Sequence, residues 1–462
     1  MLSASGKPVN FLRRTSSSLV NLVASPTRSI WIPILLGLGI REIFAPFTGH
    51  PFDFELWIRL GYYTTKAHLD PYTATPPVPG LSIPGTGFMT WIGYPPFWPF
   101  FQAGIYSVYS FIGINNRFVD YFLIKQPMVL ADILAGYLIF RIVEDETENR
   151  SKAIRAMAFW LLCPYTIVIS AVWGMFDQIV LDLVLISTVF VSKTVKSALV
   201  EALGIFIKAI PAVFLPVLAL AQVSKKRIII YLIISVGVSA SLSLLPYVVF
   251  RSWNLSNLEG VGISVTNKVG GSINYWDIIG QLAGNHLIPL KDFTILGYFG
   301  YLWIPAVILG SVYCAHKFRK KEDPVSFSGS NLYLSALFVF LIFLLVRTQI
   351  NEQYVIYFFG LGLIDVFTFG GKRFRKFNYV WLSSFAFLIV NNVYMVRFLE
   401  PLSIEYLHLD TSLENGFPGE IRNYLLIATA ILFTISAFVY IRSIFLDIRQ
   451  YGTEKGTIIV SA

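Results

Sequence analysis

Two carboxylates stand close together in an aromatic stretch near the start of the chain. The segment 49–57, GHPFDFELW, places Asp53 and Glu55 just past a first long apolar run. An ionisable group so close to hydrocarbon is costly unless it serves a site. The chemistry open to such a group is to accept a proton from a hydroxyl or to bind a polar ligand. The alternative is structural, because Asp is a favoured helix N-cap and is worth about 1 kcal/mol there.

Further polar residues interrupt later apolar runs, and as a set they are more informative than any one of them. They are Tyr94 with Pro95 and Pro96, Asp132, Trp173, Asp177, Lys208, Arg347, Asn351 and Glu352. Charges inside membrane segments are rare and tend to mark functional sites. These residues are therefore candidates for the same site as the two carboxylates.

Each of the two cations also has a structural interpretation. Arg347 could be an interfacial arginine that extends to lipid headgroups. Lys208 could pair with Glu201 or with Asp182 on a neighbouring helix. Both interpretations leave a role in binding an anion open.

The remaining members of the set divide in the same way. Trp173 and Asp177 could line a ligand pocket, or they could be an interfacial tryptophan followed by an aspartate cap. Asp132 is better explained as a buried residue that pairs helices. Tyr94 opens a rigid Tyr-Pro-Pro turn at the start of a helix and is expected to shape the floor of a pocket.

The composition identifies the class of protein that must position these residues. Of 462 residues, 55% are hydrophobic, 16% are aromatic and 14% are charged, and the mean hydropathy is +0.64. This is too apolar for a soluble globular protein. The sequence predicts an all-α polytopic membrane protein with roughly 11–13 transmembrane helices, since hydrocarbon cannot satisfy open backbone groups.

Apolar runs of about twenty residues mark the predicted spans. They lie near residues 29–47, 97–116, 119–142, 156–172, 178–192, 197–222, 228–249, 293–315, 331–349, 353–369, 377–396 and 421–443. The net charge of +9 comes from short basic segments between these runs, which is typical of cytoplasmic loops and argues against nucleic-acid binding. Cys163 and Cys314 both lie in apolar runs, which makes a disulfide framework or a zinc site unexpected.

The basic segments give a predicted orientation. The N-terminus and the segments at 225–227, 317–321 and 372–376 are placed in the cytoplasm. The other loops then lie outside, namely 48–90 with its interfacial helices, 250–292, 350–352 and 397–420. The first span is read as a retained anchor.

Two regions do not fit simple counting of spans. The run 197–222 lies between two basic loops and is interrupted at Lys208 and Pro211, which predicts a broken or re-entrant helix. Three apolar runs separate Tyr94 from Asp177, so these residues face the same side only if one run between 97 and 172 lies flat or stops short.

Six stretches carry a resemblance to a known superfamily. They are GHPFDFELW, IGYPPFWPF, PMVLADILAGYLIFRIV, CPYTIVISAVWGMFDQI, GIFIKAIPAVFLPVLAL and RTQINEQYVIYFFGL. In this order and spacing they resemble the GT-C superfamily of polyprenyl-phosphate-sugar-dependent glycosyltransferases, above all the dolichyl-phosphate-glucose glucosyltransferases and the catalytic subunit of GPI mannosyltransferase I. The chain departs from the glucosyltransferase pattern at Asn351-Glu352, where those relatives usually have His-Glu, and this leaves the donor sugar open.

The resemblance implies a function and a set of roles. It implies transfer of a mannose or glucose, with inversion, from a polyprenyl-phosphate donor to an exterior or lumenal glycan or glycolipid acceptor. Asp53 would be the catalytic base. The substrate-binding residues would be Glu55, Tyr94, Trp173, Asp177, Lys208, Arg347, Asn351 and Glu352.

The same resemblance suggests an organisation of the chain. Residues 1–28 would be a cytoplasmic N-terminus, 29–227 a GT-C-like catalytic module, 228–446 a variable transmembrane module and 447–462 a cytoplasmic tail. The protein would lie in the plasma membrane or the endoplasmic reticulum membrane, in contact with its lipids. No metal site is predicted, although two carboxylates near a phosphate could recruit Mg²⁺ or Mn²⁺.

A secondary transporter or a lipid or glycolipid flippase is the alternative function. Such proteins also carry buried charges and broken helices, but transporters usually show repeats with matching interrupted helices in both halves. The acidic loop 48–90 has no counterpart in the second half of this chain.

Overall fold

The computed structural model describes residues 30–72, 94–114, 116–251, 272–284, 299–319, 327, 329–392 and 419–450, with isolated positions at 395, 398, 399 and 402. Every regular element within these ranges is helical. Several predicted segments lie outside the described residues: the N-terminus 1–28, the part of the exterior loop 48–90 beyond residue 72, most of the loops 250–292 and 397–420, and the tail past 450.

The helices are labelled α1 to α17 in chain order. They are α1 Trp31–Phe44, α2 Pro51–Thr65, α3 Phe97–Ile112, α4 Arg117–Thr147, α5 Arg150–Leu162, α6 Pro164–Ile167, α7 Asp177–Val189, α8 Thr194–Ile207, α9 Leu215–Leu220, α10 Lys225–Leu242, α11 Leu245–Phe250, α12 Trp276–Gly284, α13 Trp303–Phe318, α14 Ser330–Val346, α15 Val355–Thr368, α16 Phe374–Asn391 and α17 Gly419–Gln450.

Three helical segments are long and apolar enough to cross a membrane, namely Arg117–Thr147, Lys225–Phe250 and Ile421–Gln450. A fourth is added if the pair Arg150–Leu162 and Pro164–Trp173, bent by 48°, counts as one span. These segments are consistent with an integral membrane protein. Other predicted runs are divided into shorter helices, and α8, with 14 residues, reaches only about 21 Å at about 1.5 Å per residue.

One end of the helix bundle gathers the candidate residues and is called the site end. There the start of α4 meets the loop after α1, because Lys125 hydrogen-bonds to Thr48 and to Ala171. The site end also contains the ion pair between Asp177, the first residue of α7, and Lys208, which directly follows α8. The site end therefore brings together residues far apart in the sequence.

The opposite end, called the basic end, contains the positively charged segments. Arg319 donates hydrogen bonds to the carbonyl oxygens of Gln222 and Val223, just before Lys225. Tyr313 of α13 stacks on Phe445 of α17, near the point where Arg373 binds Asp447. The predicted basic segments thus share one end, as expected if they face one compartment.

The predicted re-entrant segment folds back on itself. Thr194, at the start of α8, donates a 2.8 Å hydrogen bond to the side-chain oxygen of Gln222, which follows α9. A Cβ added at Gly204 would lie 3.1 Å from the ring of Pro211, so the returning chain packs closely on α8. The prediction of a chain reversal around Lys208 is confirmed.

Helix α3 was predicted to be a span, but both of its ends lie at the site end. Its first turn stacks Trp98 on Phe176, with ring centroids 3.8 Å apart, just before α7. It stops at Gly113, which has φ +71°, and Tyr109 accepts a hydrogen bond from the backbone of Asn116 at the start of α4. The run 97–116 therefore does not separate Tyr94 from Asp177, which removes the conflict in the counting.

A buried ion pair fastens α1 to α4 below the site end. Nε of Arg41 lies 2.5 Å from Oδ2 of Asp132, and both side chains are fully buried. Ser170 donates to the same carboxylate oxygen at 2.7 Å. Asp132 is a helix-pairing residue, as predicted. Both cysteines are free and buried.

Candidate active site

Asp53 lies in the first turn of α2 and is not its N-cap. The N-cap is His50, and no side chain caps this helix. Instead, Nε1 of Trp173 donates a 2.8 Å hydrogen bond to Oδ2 of Asp53. The N-cap interpretation of Asp53 is therefore wrong, because its carboxylate binds another part of the chain.

His50 is a further neighbour of this carboxylate. Its Nδ1 lies 3.3 Å from Oδ2 of Asp53, and its ring stacks on Trp173 at 5.4 Å. The Trp173 N–H and Nδ1 of His50 both contact Oδ2 of Asp53. Within the described residues, Oδ1 of Asp53 accepts no hydrogen bond. His50 was not among the residues selected from the sequence, although its place three residues before Asp53, on the same helical face once the helix begins, was a usable signal.

Glu55 is on the same helix, but its side chain lies outside the described part of the structure. Its predicted binding role stays a prediction.

An unusual stretch of backbone presents Trp173 to Asp53. Residues Val168–Trp173 form a π-helical turn that ends at Gly174, with φ +88°. A side chain at Gly174 would place its Cβ 2.6 Å from the ring of Phe54. Wider turns of this kind occur frequently at functional sites, where they re-aim a side chain. Sequence periodicity gave no signal for the π-helical turn.

Lys125 lies behind this pair and is fully buried. Its ammonium donates to the carbonyl oxygen of Thr48, to the Thr48 hydroxyl at 3.1 Å and to the carbonyl oxygens of Ala171 and Val172 at 2.7 and 3.4 Å. It was not among the residues selected from the sequence. A lysine within a predicted span is itself the signal that was available.

The second buried pair is Asp177 with Lys208. The ammonium of Lys208 lies 2.8 Å from each carboxylate oxygen of Asp177, and Tyr357 donates to Oδ1 at 3.1 Å. Neither Glu201 nor Asp182 is the partner of Lys208, so that structural alternative was wrong. Phe176, not Asp177, is the N-cap of α7, so the cap interpretation of Asp177 was wrong as well.

Tyr354 lies between two cations. Nζ of Lys208 is 4.9 Å from its ring centroid, and the guanidinium carbon of Arg347 is 5.7 Å away. The Arg347 residue is 8% exposed, which does not fit an arginine that extends to lipid headgroups. In the described part of the chain, Arg347 has no carboxylate partner, and its Nε makes no hydrogen bond.

Tyr94 connects the two halves of the cluster. Its ring packs on Phe176 at 5.3 Å. Burial raises the pKa of Tyr94 well above its ordinary value, and the nearby charges of Asp53, Tyr354 and Asp177 raise this pKa further. Because both carboxylates act on one phenol, Asp53 and Asp177 lie around a common centre. A helix-opening turn at Tyr94 was predicted, and α3 begins just after Pro96.

Glu352 occupies the same loop as Arg347 but points to a different neighbourhood. Its Oε1 accepts hydrogen bonds from Asn391 at 2.8 Å and from Asn392 at 3.3 Å. Burial raises the pKa of this carboxyl, and the bond from Asn391 partly offsets that effect. Asn351 precedes the short 3₁₀ turn Glu352–Tyr354 and accepts a backbone hydrogen bond from Tyr354. Neither side chain contacts Asp53 or Lys208 within the described residues.

The cluster offers oxygen ligands, but they are dispersed. Over the ranges that the structure describes, no three His, Cys, Asp or Glu side chains converge on a point where a metal ion could be held. Asp177 is already neutralised by Lys208. A role for Mg²⁺ or Mn²⁺ would therefore need ligands from substrate phosphate or from outside these ranges.

The site thus consists of a carboxylate held by an indole through one oxygen, a buried ion pair, and a buried arginine that has no carboxylate partner in the described part of the chain. All lie at one end of an all-helical bundle with apolar segments of membrane-spanning length. In comparisons with known proteins, no family model matches this chain and no curated protein matches it.

Proposed function

We propose that the chain is a membrane glycosyltransferase of the GT-C type. It transfers a hexose, mannose or glucose, from a polyprenyl-phosphate donor to a hydroxyl of a glycan or glycolipid, with inversion. The observation that carries this proposal is that two functions meet at one site. Within the described residues, Oδ1 of Asp53 accepts no hydrogen bond and can take a proton, and Arg347 has no carboxylate partner and can bind an anion.

Asp53 is the base in this proposal. Its Oδ1 takes the proton of the acceptor hydroxyl while the hydroxyl oxygen forms a bond to the anomeric carbon of the donor sugar. The bond from that carbon to the phosphate oxygen breaks, and its electron pair leaves with the polyprenyl phosphate. The Trp173 N–H on Oδ2 supports this role because it fixes the carboxylate through one oxygen, while the other oxygen meets no hydrogen-bond donor among the described residues.

Arg347 is the group that stabilises the leaving phosphate. A guanidinium can bind two phosphate oxygens in a fork, and a buried arginine without a carboxylate partner has its charge available for them. Lys208 is a weaker candidate because its charge is balanced by both oxygens of Asp177. We assign Lys208 and Asp177 to shaping the pocket, together with Tyr94 and Tyr354.

The proposed enzyme lies in the plasma membrane or the endoplasmic reticulum membrane, with the site end facing the exterior or the lumen. The lipid-linked donor would reach the site from the bilayer. The arrangement of basic segments at the other end supports this orientation.

A transfer assay tests the proposal. The purified protein in lipid nanodiscs is given polyprenyl-phosphate mannose or glucose with a labelled sugar, and alkyl glycosides or a total lipid extract as acceptors. Asp53→Asn keeps an oxygen that accepts the Trp173 hydrogen bond but cannot take a proton, so transfer should fall by about 10²-fold or more. The matched control is Asp120→Asn, since Asp120 is also 6% exposed but belongs to the start of α4.

The outcome is decided by comparing the two variants. Loss of transfer in Asp53→Asn alone supports the proposed base. Near-normal transfer in Asp53→Asn would place the base elsewhere. Movement of the labelled lipid across a liposome membrane without any transferred sugar would favour the flippase alternative.

A further inference from the structure

Lys125 makes a set of contacts that the proposed chemistry does not use. Its ammonium is fully buried and is bonded to four oxygens, three of them backbone carbonyls. It also lies 5.2 Å from the ring centroid of Phe54. Among the described residues it has no carboxylate partner. A lysine in such surroundings is costly unless fixed dipoles replace the lost water.

The carbonyl groups that contact Lys125 belong to the two backbone segments that lead to Trp173 and to Asp53. Ala171 and Val172 lie in the π-helical turn directly before Trp173, its last residue. Thr48 lies two residues before His50 and five before Asp53. The carbonyl end of a helical turn carries partial negative charge, which attracts a cation. One ammonium therefore joins the two backbone segments that carry the donor and the acceptor of the Trp173–Asp53 hydrogen bond.

Gly174 shows how closely these segments are packed. A Cβ there would lie 3.0 Å from Cε of Lys125 and 2.6 Å from the ring of Phe54. Its φ of +88° is a conformation that side chains disfavour. The turn after Trp173 is thus shaped around the lysine and the helix that carries Asp53.

We infer that Lys125 is a positioning residue that sets the distance and angle between Trp173 and Asp53. It touches no reacting atom. It acts through backbone carbonyls. Without it, the loop at Thr48 keeps the longer direct bonds to the turn, from the Thr48 hydroxyl to Ala171 at 3.2 Å and from the His50 N–H to Trp173 at 3.4 Å, and the two segments loosen. The inference rests on the proposed function only where activity is the measurement, because the loosening itself can be observed without substrate.

Hydrogen exchange measured by mass spectrometry tests the structural part. In Lys125→Met, amides in segments 46–54 and 168–176 should exchange faster, since both segments lose their common partner. Arg373→Met removes another buried cation, at the basic end, and should leave these two segments unchanged. Unaltered exchange of both segments in Lys125→Met would overturn the inference, whatever the activity. If that variant does not fold, Lys125→Gln, which keeps N–H donors but shortens the side chain and removes its charge, should cause a smaller change in the same segments.

A double-mutant cycle tests the functional part. Lys125→Met and Trp173→Phe should each lower the kcat of transfer by about 10-fold or more with little effect on KM, because a misplaced base slows the chemical step. The double variant should lie within about 3-fold of the slower single variant, since both changes disturb the same hydrogen bond. Multiplicative effects would show that Lys125 acts elsewhere. If the wild type transfers no sugar, the proposed function fails, and the exchange measurement still decides the role of Lys125.

Discussion

The Asp177–Lys208 pair allows a quantitative test of how the site is built. Among the described residues, Lys208→Met leaves the buried Asp177 carboxylate with the Tyr357 hydroxyl as its remaining donor, at 3.1 Å. Asp177→Asn leaves the Lys208 ammonium without its counter-ion. The combination of Asp177→Asn with Lys208→Met removes both charges while it keeps two side chains of similar size.

The structure sets the size of these effects. The side chains of Lys208 and Asp177 are 7% and 0% exposed, so water cannot replace a lost partner. Removing one member of a buried pair typically costs about 3–5 kcal/mol, whereas replacing both with neutral groups is often neutral or stabilising by about 1–4 kcal/mol. We expect each single variant to be markedly less stable than the wild type. We expect the double variant to recover most or all of the lost stability.

Unfolding of the purified protein in mixed micelles, followed by intrinsic fluorescence against denaturing detergent, measures these differences. Arg141→Met provides a control, since Arg141 is 49% exposed and pairs with Glu144 and Asp145, whose side chains are 19% and 66% exposed. Ion pairs near the surface contribute about 0–1 kcal/mol. A double variant as unstable as the weaker single variant would refute the reasoning. The pair would then owe its effect to the shape of the side chains and not to charge balance.

Three further predictions follow from the site and the two ends of the bundle. Arg347→Ala should lower kcat/KM for the donor by about 10- to 100-fold through lost charged hydrogen bonds, with Arg347→Lys only partly active; unchanged donor kinetics would remove Arg347 from the phosphate site. Burial raises the pKa of Glu352, so the wild type should lose stability as pH rises from the ordinary glutamate pKa towards the raised one, by about 1.4 kcal/mol for each pH unit between the two values. Glu352→Gln should not show this loss in thermal unfolding at different pH values, and identical pH profiles would contradict the assignment. Finally, in a cysteine-free background, Lys66→Cys should react with an impermeant maleimide from outside, whereas Ser192→Cys should react only in opened membranes; both positions are exposed, and the reverse result would invert the orientation.

Much of the helical architecture could be predicted from the periodicity and length of the apolar runs. The chain reversal around Lys208 was predictable because two basic loops flank a run that contains a lysine and a proline. The identity of the run that stays at one end was not predictable. Only the contacts of helix α3 with Phe176 and with the start of α4 place both of its ends together.

Pairing of charges was the least predictable feature. From the sequence, Lys208 had two structural partners available, Glu201 seven residues before it and Asp182 on the preceding helix. Its partner is Asp177, because α8 runs back along α7 and returns Lys208 to the level at which α7 begins. Spacing along one helix could not show this, since the contact depends on where two helices end.

The places where helices end also explain why the candidate residues were recognisable at all. Asp53 opens a helix, Trp173 closes a π-helical turn, Lys208 stands in extended backbone after α8, and Arg347 follows the last residue of α14. In an apolar environment an open backbone is tolerated only where it is buried in protein or lines a polar cavity. Polar side chains that interrupt apolar runs therefore mark places where a helix begins or ends, and here these helix ends meet at one end of the bundle. The sequence can show that each helix end exists, but only the packing of the helices determines that the helix ends converge around Tyr94 and Tyr354.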